Sequence, residues 1–253
     1  MDAGRPLVDW RTTAPYAGLA ACGRHGFAWE WLRRSPAYRA AVTRGSLCPE
    51  RASFFGLHRL EPVGQSALDA RPVWRGEADP HVLTAIAAPA RDPRDAFDVS
   101  AFRSLDSCVV TGDGSEHWLW SDGIRQIRLD IVGQSLVNGP VRLDYRIAGV
   151  RSAEPLAATL ARLLALHRTG RLVRSLFAPE PRAARWALVL RTHDALAAGA
   201  TQRHVAEALF GLHDVDHWRV AASADRDRVR RLVTAARTAA RTDPRHWLDG
   251  SFP

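Results

Sequence analysis

The residues best suited to chemistry are the arginines of ADRDRVRRLVTAARTAAR, residues 224–241. Projected on a helix, four of them fall within about 60° of one another: Arg226, Arg230, Arg237 and Arg241. A second arc is apolar: Val229, Leu232, Val233, Ala236 and Ala240. Such a row of guanidinium groups suits DNA phosphates or base edges, and we add Arg228 and Arg231, outside the row, as candidate contacts. The other interpretation is a solvated face of a bundle helix.

A preceding stretch, TQRHVAEALFG at residues 201–211, predicts a helix whose N-terminus is capped by the Thr201 hydroxyl. Because His204 rather than Glu stands three residues later, we expect no capping box. Gln202 and Arg203 are expected to be exposed at the positive end of this helix, where backbone N–H groups also favour phosphate. The predicted buried stripe of the helix is Val205, Ala206 and Leu209.

Together these two helices predict a helix-turn-helix, with one departure from the usual spacing. A turn of about three or four residues joins the helices of a standard motif, whereas about 12 residues separate Gly211 from Ser223. Either a short extra helix near residues 215–221 completes a variant motif, or that segment itself reads the groove, with Trp218 as its buried anchor. The residues leave both arrangements open.

Charge is distributed unevenly along the 253 residues, whose net charge is +8. All 35 basic residues are arginines; residues 1–150 hold 18 of them against 17 acidic residues, and residues 151–253 hold 17 against 10. A composition bias of the genome would act on the whole chain, so the excess of +7 in the second part favours a polyanion-binding module. An idle basic surface is the alternative.

Several classes of protein are disfavoured. No apolar run is long enough to span a membrane, and the N-terminus lacks an apolar signal core, so we expect a cytoplasmic protein. Three widely spaced cysteines fit reduced thiols better than a disulfide framework. Paired carboxylates, a phosphate-binding glycine loop and a GxSxG motif are missing from the sequence, so we expect neither an enzyme nor a cofactor.

Two sets of residues have the chemistry of metal ligands but do not form a convincing site. His213 and His217 have i,i+4 spacing, yet they lack the intervening Glu of a metalloprotease and a nearby cysteine. Cys22, His25 and Cys48 form an incomplete set. We therefore expect no metal.

The periodicity of the sequence divides the chain into three regions, which together predict an α+β fold that positions the arginines. Residues 1–75 form a small helical unit, in which FAWEWLRR presents Phe27 and Trp31 on one helical face. Core packing is the favoured role of the tryptophans there: Trp10, Trp29 and Trp31.

Residues 76–150 are expected to hold an irregular stretch up to residue 115, followed by a small antiparallel sheet. Period-two alternation predicts three strands: one at HWLW (117–120), one around Ile127–Leu129–Ile131, and one from Val141 to Ile147.

Residues 151–253 are expected to form a C-terminal helical bundle containing the variant helix-turn-helix. Its first helix is predicted to begin at an N-cap, Ser152, and to end at Gly170. The apolar stripe of that helix is predicted to be Leu156, Leu160, Leu163, Leu164 and His167. A second helix follows at residues 182–198, and Gly199 ends it.

Two runs resemble a known family: RWALVLRTHDALAAGATQRHVAEALFG with the later DRDRVRRLVTAAR, and DWRTTAPYAGLAACGRHGFAWEWLRRSPAYR. The first resembles the C-terminal variant helix-turn-helix domain of proteobacterial regulators encoded by integrative and conjugative elements. The second resembles the transcriptional-regulator-like domain N-terminal to it. The two-domain layout is more similar to the excision activator of that family than to its shorter antiactivator.

The resemblance implies a cytoplasmic activator of the genes for excision or transfer of a mobile element. It also implies contacts with RNA polymerase or another regulator. Our own hypothesis is that residues 151–253 bind double-stranded DNA and that residues 1–150 supply partner contacts or assemble into a homo-oligomer. The alternative is an antiactivator or adaptor that uses the helix-turn-helix shape to bind protein without touching DNA.

Overall fold

The fold of the computed structural model is mixed α+β, as expected, and the structure describes residues 7–44, 49–211 and 223–252. The α-helices among these residues are α1 Ala14–Ala17, α2 Arg24–Arg34, α3 Pro36–Thr43, α4 Pro49–Phe54, α5 Ala153–Thr169, α6 Ala183–Ala197, α7 Gln202–Phe210, α8 Ser223–Arg241 and α9 Arg245–Leu248. The strands are β1 Leu83–Pro89, β2 Asp106–Val110, β3 Glu116–Ser121, β4 Gln126–Gly133 and β5 Val141–Arg146.

The sheet is larger than the sequence indicates. Its five strands have the order β2-β3-β4-β1-β5, and β1 runs parallel to β4 while every other pair is antiparallel. The expectation that residues 76–115 are irregular is wrong for β1 and β2. In β1 the buried Leu83, Ala85 and Ala87 alternate with Thr84, Ile86 and Ala88. Two of these three intervening residues are also apolar, so the strand has too little polar contrast to show its period.

One face of the sheet is covered by α5. Leu163 and Leu166 of this helix join the buried strand residues Leu129 and Ile131 in one apolar cluster. The predicted stripe is wrong at its C-terminal part, since Leu164 and His167 are exposed and Leu166 is buried. Gly170 ends the helix in the left-handed region as predicted, but the Ser152 side chain makes no capping hydrogen bond.

A second core joins the N-terminal helices to the C-terminal helices. Phe27 and Trp31 of α2 contact Trp247 of α9, and Trp247 in turn contacts Trp186 of α6 and Phe252. The predicted packing role of the N-terminal tryptophans is confirmed, because all three are buried: Trp10, Trp29 and Trp31.

Four buried charged side chains lie beside this core. Both oxygens of Asp194 in α6 accept hydrogen bonds from Arg34 of α2, each at 2.7 Å. Arg34 also contacts Glu30, which pairs with Arg33 at 2.8 Å. The Tyr16 hydroxyl donates to Asp194 at 2.6 Å. This charge cluster therefore links α1, α2 and α6 through charge-assisted hydrogen bonds.

Histidine 58 should make the fold sensitive to acid. Its ring stacks on His117 with centroids 3.5 Å apart, and neither of its buried ring nitrogens has a hydrogen-bond partner among the described residues. Burial, followed by the nearby His117 and Arg128, lowers the pKa of His58 from 6.5 to about 3. Between pH 6.5 and the lowered pKa, His58 is protonated in the unfolded chain but not in the folded chain. Proton binding therefore favours the unfolded chain as the pH falls through this range, and the free energy of unfolding decreases. Above the unfolded pKa of His58 this loss of stability is absent.

We therefore expect wild-type protein to lose more unfolding free energy between about pH 7 and about pH 5 than the His58→Gln variant does. Urea unfolding at both pH values measures the difference, and exposed His246 supplies a matched control, His246→Gln. Equal losses in wild type and His58→Gln would show that His58 is not the source of the acid sensitivity.

Candidate nucleic-acid interface

The start of α7 is held by a reciprocal pair of hydrogen bonds. The Thr201 hydroxyl accepts from the backbone N–H of His204 at 3.3 Å, and His204 Nδ1 accepts from the backbone N–H of Thr201 at 3.4 Å. The expectation of no capping box is therefore wrong, because an unprotonated imidazole nitrogen accepts the hydrogen bond that a Glu carboxylate usually accepts. Two α7 residues at this end, Gln202 and Arg203, are exposed as predicted.

Helix α7 packs against α6 and α8, which also contact each other. Val205 and Ala206 are completely buried, and they share a cluster with Val229 and Val233 of α8. Leu209, the third residue of the predicted stripe, is partly buried against the same cluster. Because Ala206 has only a methyl side chain, it allows α7 and α8 to approach closely.

Arg191 of α6 fixes the other end of α7 through backbone carbonyls. Its buried guanidinium donates to the backbone carbonyls of Trp10 at 2.7 Å, Arg11 at 2.8 Å and Ala208 at 3.3 Å. One side chain therefore holds together the N-terminal segment, α6 and the last turn of α7.

The buried face of α8 differs from the prediction at one position. Val229, Leu232, Val233 and Ala236 are buried as predicted, but Ala240 is exposed and Ala239 is buried in its place. The reason is that α8 covers two cores. Its Val229 and Val233 pack against α7, whereas Ala236 and Ala239 belong to the cluster that contains Trp247. The buried side therefore turns along the helix.

The α8 arginines lie mostly at the surface. Five are exposed, namely Arg228, Arg230, Arg231, Arg237 and Arg241, and Arg226 is partly buried. Within the described part of the chain, Arg230 is the only one of the six with an ion pair, to Asp227 at 3.6 Å. Both partners of that pair are more than half exposed, so it holds Arg230 weakly.

Two candidate arginines have additional contacts. The Arg228 guanidinium lies over the ring of Phe210, 4.0 Å from its centroid, which connects α8 to the last residue of α7. Arg203 pairs with Glu207 one turn along α7 at 2.9 Å. Because such an exposed pair is worth at most about 1 kcal/mol, a phosphate can replace Glu207 as the partner of Arg203.

Sequence reasoning misses a further group of exposed arginines, which runs from the last turn of α5 to the first turn of α6. These are Arg168, Arg171, Arg174, Arg182 and Arg185. Their only signal in the sequence is the excess of positive charge in residues 151–253. Glu180, the one carboxylate of that stretch, pairs with Arg24 at 3.1 Å.

Several predicted features lie outside the described residues. These are Cys48, His213, His217, Trp218 and the short helix expected near residues 215–221. Helix α7 does end at Gly211, which adopts the left-handed conformation. Ser223, the expected N-cap, is the first residue of α8.

Two family models match the chain, one at each end. Residues 149–248 match the model described as "T6SS, Transcription factor, DNA binding domain", and residues 9–54 match the "Proteobacterial transcriptional regulator-like domain". The chain therefore has the domains of a transcriptional regulator, with a DNA-binding domain at its C-terminal end. Both descriptions belong to regulators and not to enzymes. Comparison with curated proteins finds no match to the chain.

Along the described residues, no helix is both long and apolar enough to cross a membrane.

Proposed function

We propose that the protein is a cytoplasmic transcriptional activator that binds double-stranded DNA through α8, and that it activates excision or transfer genes of a mobile element. Six arginines of α8 would contact phosphates or base edges: Arg226, Arg228, Arg230, Arg231, Arg237 and Arg241. The observation that carries the proposal is the exposed arginine surface of α8, inside the matched DNA-binding domain. Among the described residues its one carboxylate partner is Asp227.

The start of α7 supports the same contact. Backbone N–H groups at a helix N-terminus favour phosphate, and Gln202 and Arg203 are exposed there. Helix α7 is anchored by Arg191 at one end and by its cap at the other, so it can fix the protein on the duplex without a large ordering cost. In a helix-turn-helix arrangement, α8 and α7 would meet the same duplex.

The test is salt-dependent DNA binding by two quadruple variants of equal net charge. We expect replacement of Arg226, Arg230, Arg237 and Arg241 by Ala to weaken binding. The log–log salt slope should fall by about 0.9 for each phosphate that an arginine no longer neutralises, or by up to about 3.6 for all four. The measurement is fluorescence anisotropy with DNA from the upstream region of the protein's own operon, over a series of salt concentrations.

The matched control replaces four exposed arginines of the sheet region by Ala: Arg91, Arg94, Arg103 and Arg142. It should keep a nearly wild-type slope. Equal losses in both quadruple variants would show that net charge rather than the α8 surface governs binding. If wild-type protein binds the DNA only together with a second protein, the chain acts as an adaptor.

Activation, as opposed to repression, rests on the resemblance to the excision activator. We expect a reporter driven by excision or transfer promoters of the element to respond to wild-type protein and not to the α8 quadruple variant. Contacts with RNA polymerase or another regulator, and assembly into a homo-oligomer, belong to the same proposal, with residues 1–150 as the contacting region.

A further inference from the structure

Three side chains from separate parts of the chain converge where α2 begins. His25 Nε2 lies 2.9 Å from one oxygen of Asp79, and His81 Nδ1 lies 3.1 Å from the other. One ligand atom from each residue lies within 4.8 Å of those of the other two. Two imidazole nitrogens and a carboxylate oxygen form a ligand set that Zn²⁺ and related divalent metals prefer.

Neighbouring residues hold Asp79 and His81 in place. Asp79 is buried, and its backbone N–H donates to the Arg75 carbonyl at 3.0 Å. The Thr159 hydroxyl of α5 donates to the His81 carbonyl at 2.9 Å. Because a metal would find its ligands already in position, little ordering would be needed on binding.

The Asp79 carboxylate is fully buried between the two histidines. Besides the contacts with the two rings, one of its oxygens accepts from the backbone N–H of His81 at 3.0 Å. A carboxylate oxygen beside two imidazole nitrogens completes a set of three zinc ligands.

Both histidines open onto a cavity of about 830 Å³ between the N-terminal helices, the β3–β4 turn and residues 174–180. Their side chains are 21% and 31% exposed, whereas the Asp79 side chain is not exposed at all. Three protein ligands beside an accessible space leave room for water or a small molecule as a fourth ligand, which is the arrangement of an open zinc site.

A second group of the same composition, His58, His117 and Asp130, is less suitable. The two imidazole rings stack 3.5 Å apart at an angle of 20°. Since the lone pairs of an imidazole lie in its ring plane, two nearly parallel rings cannot direct them at one ion. The rings of His25 and His81 are not stacked, because they are inclined by 69° with centroids 5.5 Å apart.

We propose that His25, Asp79 and His81 bind a divalent transition metal, with Zn²⁺ as the best match. On binding, the two N–H···O hydrogen bonds to Asp79 are replaced by bonds from the metal to the ring nitrogens and the carboxylate. Each neutral imidazole moves its single proton from the nitrogen that faces Asp79 to the other ring nitrogen, so no proton is gained or lost overall. The metal would connect α2, which lies in the N-terminal matched domain, to the segment that leads into β1.

The test is titration of metal-free, full-length protein with ZnCl₂ by calorimetry. We expect one Zn²⁺ per chain and a higher midpoint of thermal unfolding with metal than without. His25→Ala and His81→Ala should each weaken the affinity at least about tenfold. The matched control is His246→Ala, which removes an exposed histidine outside the cluster and should bind as wild type does.

Two further variants separate loss of a ligand from loss of folding. His25→Gln keeps a hydrogen-bond donor toward Asp79, and Asp79→Asn keeps the size and one acceptor of the carboxylate. Both should unfold cooperatively without metal and should bind Zn²⁺ weakly. Absence of binding by wild-type protein would overturn the proposal, and so would binding that survives His25→Ala and His81→Ala, or that is abolished by His58→Ala.

Discussion

Replacement of Asp194 by Ala should lower the free energy of unfolding by about 3–5 kcal/mol. Asp194 accepts two hydrogen bonds from Arg34 and one from Tyr16, and all three side chains are buried or nearly so. Without Asp194, two buried guanidinium groups, Arg33 and Arg34, share the single carboxylate of Glu30. The Tyr16 hydroxyl is also left without its acceptor. The destabilisation comes mainly from uncompensated buried charge, because the net value of an intact buried pair is small.

Glu207→Ala is the matched control, since it also removes a carboxylate from an arginine pair on a C-terminal helix. Its partner Arg203 is 46% exposed, so the loss of stability should stay below about 1 kcal/mol. Urea unfolding followed by far-ultraviolet circular dichroism measures both values. If the two variants were destabilised equally, burial of the charge cluster would have no energetic consequence.

Trp247→Ala should also cost about 3–5 kcal/mol, the usual range for removal of a buried aromatic side chain. The Trp247 ring is completely buried, stacks on Phe252 at 3.7 Å and meets Trp186 edge to face at 4.5 Å. Helix α9 has only four residues, so its attachment to the core depends on Trp247 and Leu248. The indole nitrogen has no hydrogen-bond partner among the described residues, so the destabilisation is one of packing alone.

Trp247→Phe should retain much of the stability, because it preserves a ring that can contact Trp186. Val150→Ala, at a side chain that is 94% exposed, should change the free energy by less than about 0.5 kcal/mol. Thermal and urea unfolding of the three variants give the ranking. A small effect of Trp247→Ala would mean that Trp186 and Phe252 move into the space left by the indole ring with little loss of unfolding free energy.

Local patterns in the sequence predict the helices well, and pairing between distant segments poorly. Periodicity and the glycine stop signals place α5, α6 and α7 within a residue or two of their observed ends. The same patterns indicate β3, β4 and β5 but not β1, which inserts between β4 and β5. Strand order depends on contacts between segments far apart in the chain, and a period-two pattern carries no information about them.

The arginine surface could be predicted because it belongs to one helix. The charge cluster and the proposed metal ligands could not, because each combines residues from distant segments. Glu30, Arg33 and Arg34 have the i,i+3 and i,i+4 spacing of a solvated helix face. They are buried because Arg34 pairs with Asp194, which lies 160 residues away along the chain.

The histidine ligands show the same limit. In the sequence, His25 stands closest to Cys22, but the Cys22 thiol is buried and directed at the Gly18 carbonyl. The partner of His25 in the structure is Asp79, 54 residues away. Spacing along one segment offers only an incomplete ligand set and leads us to expect no metal. The proposed set forms only when distant segments pack together.

The shared aromatic core has a practical consequence for dissecting the molecule. A fragment cut to residues 149–248 would uncover the faces of Trp186 and Trp247 that Phe27 and Trp31 now shield, and it would leave Arg191 without two of its three carbonyl acceptors. Such a fragment is expected to self-associate. DNA affinities measured on it would therefore differ from those of the whole chain. Conversely, α2 and α8 contribute side chains to the same apolar core, so a ligand that repositions α2 is expected to affect α8 through that core.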